Sequence, residues 1–151
     1  MTTQSIAIDA MGGDVGPRVT IPASLDALKK YPNLRIILVG DQIQIESLLK
    51  KYDETNHPRL SIHKTTEVVL MDESPQSALK NKKNSSMRVA INLVKDGDAK
   101  ACVSAGNPGA LMATARCVLK TLQGIDRPAI ASNLPNRKGA TCMLDLGANA
   151  D

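Results

Sequence analysis

The chain has 151 residues, enough for one domain with a buried core. Lysines and arginines outnumber carboxylates 19 to 15, a formal charge of +4 that suits an anionic partner but more often serves solubility. Two tyrosines without any Phe or Trp argue against a single-strand nucleic-acid surface built on stacked bases, and force a core of Ile, Leu, Val, Met and Ala.

In chain order, SIAIDA (5–10) reads as a short strand ending on Asp9, followed by the glycine-rich turn MGGDVG (11–16). A helix follows from about Arg18 to Lys30, with Pro22 tolerable only in its first turn. LRIILVG (34–40) is a continuous apolar run of the kind buried on both faces of a sheet. Ile45, Leu48 and Leu49 give IQIESLLKKY (43–52) helical spacing, TNHPR (55–59) breaks it, and LSIH (60–63) reads as a third strand. Between 64 and 84, DESP (72–75) reads as a turn and the lysines after it as a solvated segment. SSMRVAINLVKDGD (85–98) is a helix with a serine start, an apolar face of Met87, Val89, Ala90, Leu93 and Val94, and Gly97 at its end. KACVSAG (100–106) is a strand and ALMATARCVLKTL (110–122) a helix; PAIAS (128–132) and TCMLDLG (141–147) are two further strands. Strands alternating with helices imply right-handed crossovers, hence an α/β fold: a mostly parallel sheet covered by helices on both faces, here a single unit over 1–151.

Cys102, Cys117 and Cys142 lack CxxC spacing, and Cys102 and Cys142 sit in apolar runs as small hydrophobes, so neither a disulfide framework nor a zinc site is expected. His57 and His63 lie in or beside a polar loop, without a metal-ligand pattern. No run approaches the roughly 18 apolar residues of a bilayer span, and MTTQSIAIDAMGGD is unlike a signal peptide, so the expected location is cytoplasmic.

In such sheets ligands bind beyond the carboxyl ends of the strands. Three small-residue segments fall there: AMGGDVGP (10–17), SAGNPGA (104–110) and LGANAD (146–151). In the second, Gly106 permits an unusual turn, Asn107 is a favoured N-cap and Pro108 suits the first helical position. The N–H groups of Gly109, Ala110 and Leu111 would then face outward at the positive end of a helix, a seat for an oxyanion. A well-capped helix without a ligand is the other reading of that loop alone; three such loops at one rim favour the anion. GGDVG (12–16) and GNPG (106–109) do not match GxGxxG, and no Walker pattern exists. LKNKKNSSMR (79–88) adds Lys80, Lys82, Lys83 and Arg88 around a Ser-Ser helix start, either a cationic cradle or a charged helix face in water.

Four segments, IDAMGGDVGP (8–17), KKNSSMRVA (82–90), SAGNPGALMA (104–113) and LDLGANAD (144–151), resemble the bacterial phosphate acyltransferases of phospholipid synthesis, in order along the whole chain. The resemblance implies the three-layer fold of isocitrate/isopropylmalate dehydrogenases and phosphotransacetylases. It further implies transfer of an acyl group from acyl-[acyl carrier protein] to inorganic phosphate, giving an acyl phosphate that a membrane acyltransferase uses on glycerol 3-phosphate. Homodimers working in the cytoplasm near the membrane, with peripheral membrane association, belong to the same implication; no cofactor, metal or nucleic acid does. The family loop reads SAGNTGA, so Pro108 here loses one N–H and one hydroxyl. Family members also continue for about as long again beyond a position matching Asp151, so the resemblance covers an N-terminal half, with the character of a fragment.

Because phosphate is itself the nucleophile, no enzymic Ser-His-Asp or Cys-His pair is required. The protein must hold a dianion against an acyl carbonyl and offer N–H donors to the tetrahedral oxygen. Lys82, Lys83, Ser85, Ser86 and Arg88 are the candidates for phosphate; Gly106, Asn107 and Gly109 for the oxyanion or phosphate cradle; Gly12, Gly13, Ser104, Gly147 and Asn149 for the surrounding rim. Asp9 and Asp14 either orient donors or cap helices, and Asp145 either acts similarly or is a strand-end carboxylate satisfied by backbone. Asp9, Lys82, Lys83 and Asn107 form the candidate catalytic set. Two other functions compete: a non-catalytic anion-binding fragment, and an isopropylmalate-dehydrogenase-like oxidoreductase, whose carboxylate cluster and cofactor loop are not found in this sequence.

Overall fold

The structure, a computed structural model, describes residues 3–144. The chain divides into two compact units, Met1–Leu119 and Lys120–Asp151. The first unit runs β1 (Gln4–Asp9), α1 (Pro17–Lys30), β2 (Leu34–Gly40), α2 (Gln42–Lys51), β3 (Leu60–Lys64), α3 (Pro75–Asn81), α4 (Ser86–Asp96), β4 (Ala101–Val103) and α5 (Pro108–Leu119). Its four strands pair in parallel in the order β3-β2-β1-β4. This is the expected α/β fold.

Alternation along the strands sorts the core into two layers. Ile36 and Leu38 of β2 cluster with Ile21, Leu25 and Leu28 of α1 and Ile45 and Leu49 of α2. Val39 of β2 and Ala7 of β1 cluster with Val89, Ala90 and Leu93 of α4 on the other face. A third cluster joins Met87 and Ile91 of α4 to Ala78 of α3 and Ala110 and Val118 of α5. Each fully buried Leu or Ile contributes about 1.5–3 kcal/mol through removal from water, so these layers carry the stability of the unit.

Local chemistry sets the element ends. Asp41 caps α2 by accepting from the Gln44 N–H at 2.8 Å. Gly97 ends α4 at φ 87, a left-handed conformation that glycine adopts without a Cβ penalty. Arg59, which the sequence does not single out, donates to the carbonyls of Leu28, Tyr31, Pro32 and Leu34 and so ties the α1–β2 connection down. His57 accepts the Arg59 N–H on Nδ1, a turn-stabilising role.

Three expectations need correction. Pro22 lies inside α1, beyond the first turn, since the helix begins at Pro17; Ile21, Leu25 and Leu28 bury this helix on the sheet, and that packing offsets the lost bond to Arg18. DESP is not merely a turn: Ser74 caps α3 by accepting from the Ser77 N–H, with Pro75 opening the helix. The last two strands do not extend the parallel sheet. They are β5 (Ala131–Asn136) and β6 (Gly139–Leu144), an antiparallel hairpin in the second unit. Arg137 and Lys138 form its two-residue loop, held by the Lys138 N–H donating to Asn136 Oδ1 and by Asn136 Nδ2 donating to Thr141 Oγ1. Cys142 is consequently exposed, not buried among apolar neighbours.

Candidate functional site

In this sheet the strand order reverses at β1: β2 lies on one side and β4 on the other. The crevice beyond the carboxyl ends of β1 and β4 is therefore the topological switch point, where α/β sheets bind ligands. The first two glycine-rich segments leave these two strand ends.

They meet closely. Asp9, 2% exposed, closes β1, and its Oδ2 accepts a hydrogen bond from Ser104 Oγ at 2.6 Å. Ser104 Oγ in turn accepts the Gly106 N–H at 3.0 Å, so one hydroxyl links the carboxylate to the turn. The short distance fits a charge-assisted bond to a carboxylate. Gly12 sits in the angle between them: a Cβ there would lie 2.7 Å from Asp9 Oδ2, 2.9 Å from Gly106 N and 3.0 Å from Ser104 Oγ. A Cβ at Gly106 would meet Met87 Cε at 2.9 Å, which brings the first turn of α4 to the same place. Gly13, at φ 87, faces the Ala105 carbonyl.

The starts of α4 and α5 show how far each terminus is open. Ser85 is the α4 cap: its Oγ donates to the Lys82 carbonyl at 2.8 Å and accepts the Arg88 N–H at 3.4 Å. Its hydroxyl is thus engaged, whereas Ser86 Oγ is buried without a partner. Asn107 does more than cap α5. Its Oδ1 accepts the Ala110 N–H at 3.0 Å, while Nδ2 donates to the carbonyls of Met71 at 2.9 Å and Glu73 at 2.8 Å. Of the three N–H groups expected to face outward, Ala110 is held by this side chain and Leu111 by the Asn107 carbonyl; the Gly109 N–H remains. The reason is the asparagine itself, which satisfies the very donors its position exposes.

The cationic cluster is less convergent than the sequence suggests. Arg88 turns its Nη1 toward the Leu79 carbonyl at 3.5 Å, near the end of α3. Lys82 follows that helix directly as its C-cap and Lys83 is exposed; neither forms an ion pair among the described residues. Asp14 is exposed in the turn after β1. Asp145, Gly147 and Asn149 lie outside the described residues.

Sequence reasoning missed Glu67. Its carbonyl accepts the Ser86 N–H at 3.1 Å and its Oε2 accepts the Asn84 N–H at 2.8 Å, pinning the Ser-Ser turn across a gap of 17 residues. No local pattern carries such a contact. Thr65, just past β3, was missed for the same reason: its Oγ1 is buried without a partner. Asp9 Oδ1 is the third such atom, so all three orphaned side-chain atoms among the described residues lie at or just past a strand end or at the start of α4. Buried groups left unpaired each cost about 1–3 kcal/mol. Burial, then the charge of Asp9, raises the pKa of the nearby Cys102 thiol above its ordinary 9.0, while a backbone hydrogen bond lowers it. Among the described residues no group of three or more His, Cys, Asp or Glu could hold a metal ion, and no helix is long and apolar enough to cross a membrane.

Comparison with known proteins connects this chain to a family. The phosphate acyltransferase of Chromobacterium violaceum is 63% identical over 149 residues, which is 99% of this chain and 43% of that protein. Those of Herminiimonas arsenicoxydans and Methylococcus capsulatus are 61% and 59% identical, over 99% and 100% of this chain and 42% and 44% of theirs. The chain thus spans less than half the length of these curated relatives. Among solved structures, the EutD phosphotransacetylase from Staphylococcus aureus superposes with a TM-score of 0.64 at 18% identity, covering 99% of this chain and 48% of that one, a likeness of fold. Residues 4–151 match the fatty acid synthesis protein family along their whole length, and the chain belongs to that family.

Proposed function

We propose that this chain forms the phosphate-binding part of an acyltransferase that moves an acyl group from acyl-[acyl carrier protein] to inorganic phosphate. The observation that carries the reading is the 63% identity, over 99% of the chain, to a protein named phosphate acyltransferase. The rim between β1 and β4 supports it chemically. A phosphate oxygen attacks the thioester carbonyl carbon, the C–S bond breaks, and the carrier leaves as a thiol after taking up a proton; the products are acyl phosphate and free carrier.

In this reading Lys82 and Lys83 supply charge, Ser86 Oγ and the Gly109 N–H donate to phosphate oxygens, and Thr65 Oγ1 is a further donor. Hydrogen phosphate carries one P–OH at neutral pH, and Asp9 Oδ1, buried without a donor, suits it as acceptor. Ser104, Gly12, Gly13 and Gly106 act as positioning residues: they hold Asp9 and let the two loops approach. Ser85, Arg88 and Asn107 position the helix starts, each through the bonds already described. Gly147 and Asn149 belong to the same rim in this proposal, as do a homodimeric assembly, cytoplasmic location and peripheral membrane contact.

A non-catalytic anion-binding role has one observation in its favour: Ser85, Arg88 and Asn107, three of the polar groups at the rim, are already engaged by bonds within the chain. One experiment separates the two. This chain, joined to the remaining part of the Chromobacterium violaceum relative, is incubated with an acyl-carrier thioester and phosphate, and acyl phosphate is trapped with hydroxylamine. Phosphate-dependent hydroxamate is the expected result. A folded chimera that gives none, while the intact relative does, refutes the acyltransferase reading.

A further inference from the structure

A carboxylate set among lysines ordinarily pairs with one of them, because opposite charges attract. Glu67 does not. It is half-buried and lies beside the turn that carries Lys82 and Lys83 and leads to Arg88, bridged to Ser85 in parallel. Its Oε2 accepts the Asn84 backbone N–H at 2.8 Å instead. Among the described residues no ion pair involves Glu67 or any of these three cations.

Two sets of bonds act on this turn. Those within it set its shape: the Ser85 N–H and Oγ both donate to the Lys82 carbonyl, at 3.3 and 2.8 Å. Those from the segment after β3 set where it sits. The Thr65 N–H donates to the Gly40 carbonyl at 2.8 Å, which fastens that segment to the end of β2. Two residues on, the Glu67 carbonyl accepts the Ser86 N–H at 3.1 Å, and Thr66 Oγ1 accepts from Asn84 Nδ2 at 2.8 Å. Any residue at 67 could make the backbone bond; the bond to the Asn84 N–H belongs to the carboxylate. Asn84 stands between Lys83 and the buried Ser85–Ser86 pair, so this bond fixes the main chain from which both project. A charge-assisted bond of this kind is roughly twice as strong as a neutral one.

We propose that Glu67 is a positioning residue of the anion site at the start of α4. It locks the Lys82–Ser86 main chain to the sheet and, by directing its carboxylate to the Asn84 N–H, leaves the charges of Lys82 and Lys83 for phosphate. This rests on the phosphate reading above and adds the residue that sets the affinity. A Glu–Lys ion pair would hold the same turn as scaffold, but it would cancel the charge that an anion needs. Glu67 acts through the turn and touches no substrate, so its loss weakens phosphate capture and leaves the thioester alone.

Phosphate kinetics and calorimetry test this in the chimera of this chain with the remaining part of the Chromobacterium violaceum relative. Glu67→Ala is expected to raise KM and Kd for phosphate roughly 10-fold, as for a small misplacement of binding groups. Its kcat and its KM for the acyl-carrier thioester stay within about 2-fold of the parent. The sign is diagnostic: removing a negative charge beside an anion site strengthens binding, whereas losing the position of the lysines weakens it. Glu67→Gln loses the charge but keeps an acceptor oxygen of the same reach, so its phosphate constants are expected to equal those of the parent or to be up to about 3-fold tighter. Glu67→Asp keeps the charge but falls one methylene short, and is expected to behave as Glu67→Ala; it decides the matter where Glu67→Ala does not fold. Parental or tighter phosphate binding in Glu67→Ala or Glu67→Asp overturns the proposal. So does a fall in kcat with both KM values unchanged, the mark of a scaffold that leaves fewer molecules folded, and so does a Glu67→Gln as impaired as Glu67→Ala. A parent chimera that binds phosphate without forming hydroxamate refutes the acyltransferase reading alone, and the calorimetric comparison still decides Glu67. A parent that binds no phosphate overturns both.

Discussion

Gly12→Ala is the sharpest perturbation of the rim, because a single methyl strikes three groups that cannot easily retreat. At 2.7 Å from Asp9 Oδ2, 2.9 Å from Gly106 N and 3.0 Å from Ser104 Oγ, it lies well inside ordinary carbon contact distances. Asp9 is fixed at the end of a central strand, and Gly106 is held by Ser104 and backed by Met87. Relief requires the two loops to part and the Ser104–Asp9 bond to break. Overpacking of this kind costs about 1–3 kcal/mol and a hydrogen bond to a charged group contributes about 1.5–3 kcal/mol, so a combined loss of about 2.5–6 kcal/mol is expected. Gly97→Ala is the control: its φ is 87 but nothing lies within 4 Å, so it costs only the left-handed penalty of roughly 1–2 kcal/mol. Urea unfolding followed by far-UV circular dichroism measures both, the chain having no Trp to follow by fluorescence. At a slope of about 2 kcal/mol/M, the Gly12→Ala midpoint drops by about 1–3 M. A Gly12→Ala midpoint no lower than that of Gly97→Ala refutes the close approach of the two loops.

Other outcomes follow from the same contacts. Asn107→Ala loses a cap worth about 0.5–2 kcal/mol and frees the 70–73 carbonyls, so amide exchange in that loop accelerates; Asn107→Asp keeps the Ala110 bond but not the donors, and restores helix stability without restoring the loop. Lys82→Ala and Lys83→Ala, which remove no ion pair among the described residues, leave the unfolding free energy within about 0.5 kcal/mol of the parent, whereas each weakens phosphate binding roughly 10-fold by calorimetry in the full-length chimera. Unchanged affinity would remove these lysines from the cradle. Asp9→Asn removes a negative charge that raises the Cys102 pKa, so Cys102 alkylates faster at mildly alkaline pH; an unchanged rate denies the proximity. With a folded-state pKa above the ordinary 9.0, the native thiol holds its proton longer than the unfolded one, so this group's stabilising effect declines as pH rises beyond that value.

Much of the fold is legible in short-range pattern. The run LRIILVG gives β2 with its observed bounds, and Ser85, Gly97 and the apolar spacing between them give α4 with both caps, because strand burial and helix capping are decided by neighbours within a few residues. The helix at 75–81 escapes the same reading. Its start, Ser74-Pro75, is a capping pair as well as a turn signal, and the helix is only seven residues long, of which Ala78 alone is buried. The hairpin at 131–144 escapes as well: its strands look like any others in the alternation, and strand direction depends on the two-residue Arg137-Lys138 loop, not on the strands.

For the site, sequence alone determined the residue types at the rim and the family they belong to, since glycines, a capping asparagine and a strand-end aspartate are chosen by local backbone geometry and each leaves a local signature. Tertiary structure decided which of those groups are already engaged. Ser85 and Asn107 satisfy their own helices, Arg88 turns to α3, and Asp9 is bound through Ser104, 95 residues away. Hydrogen bonds across such separations form only when strands order 3-2-1-4 bring β1 beside β4, and no pattern within a few residues encodes a neighbour that far along the chain.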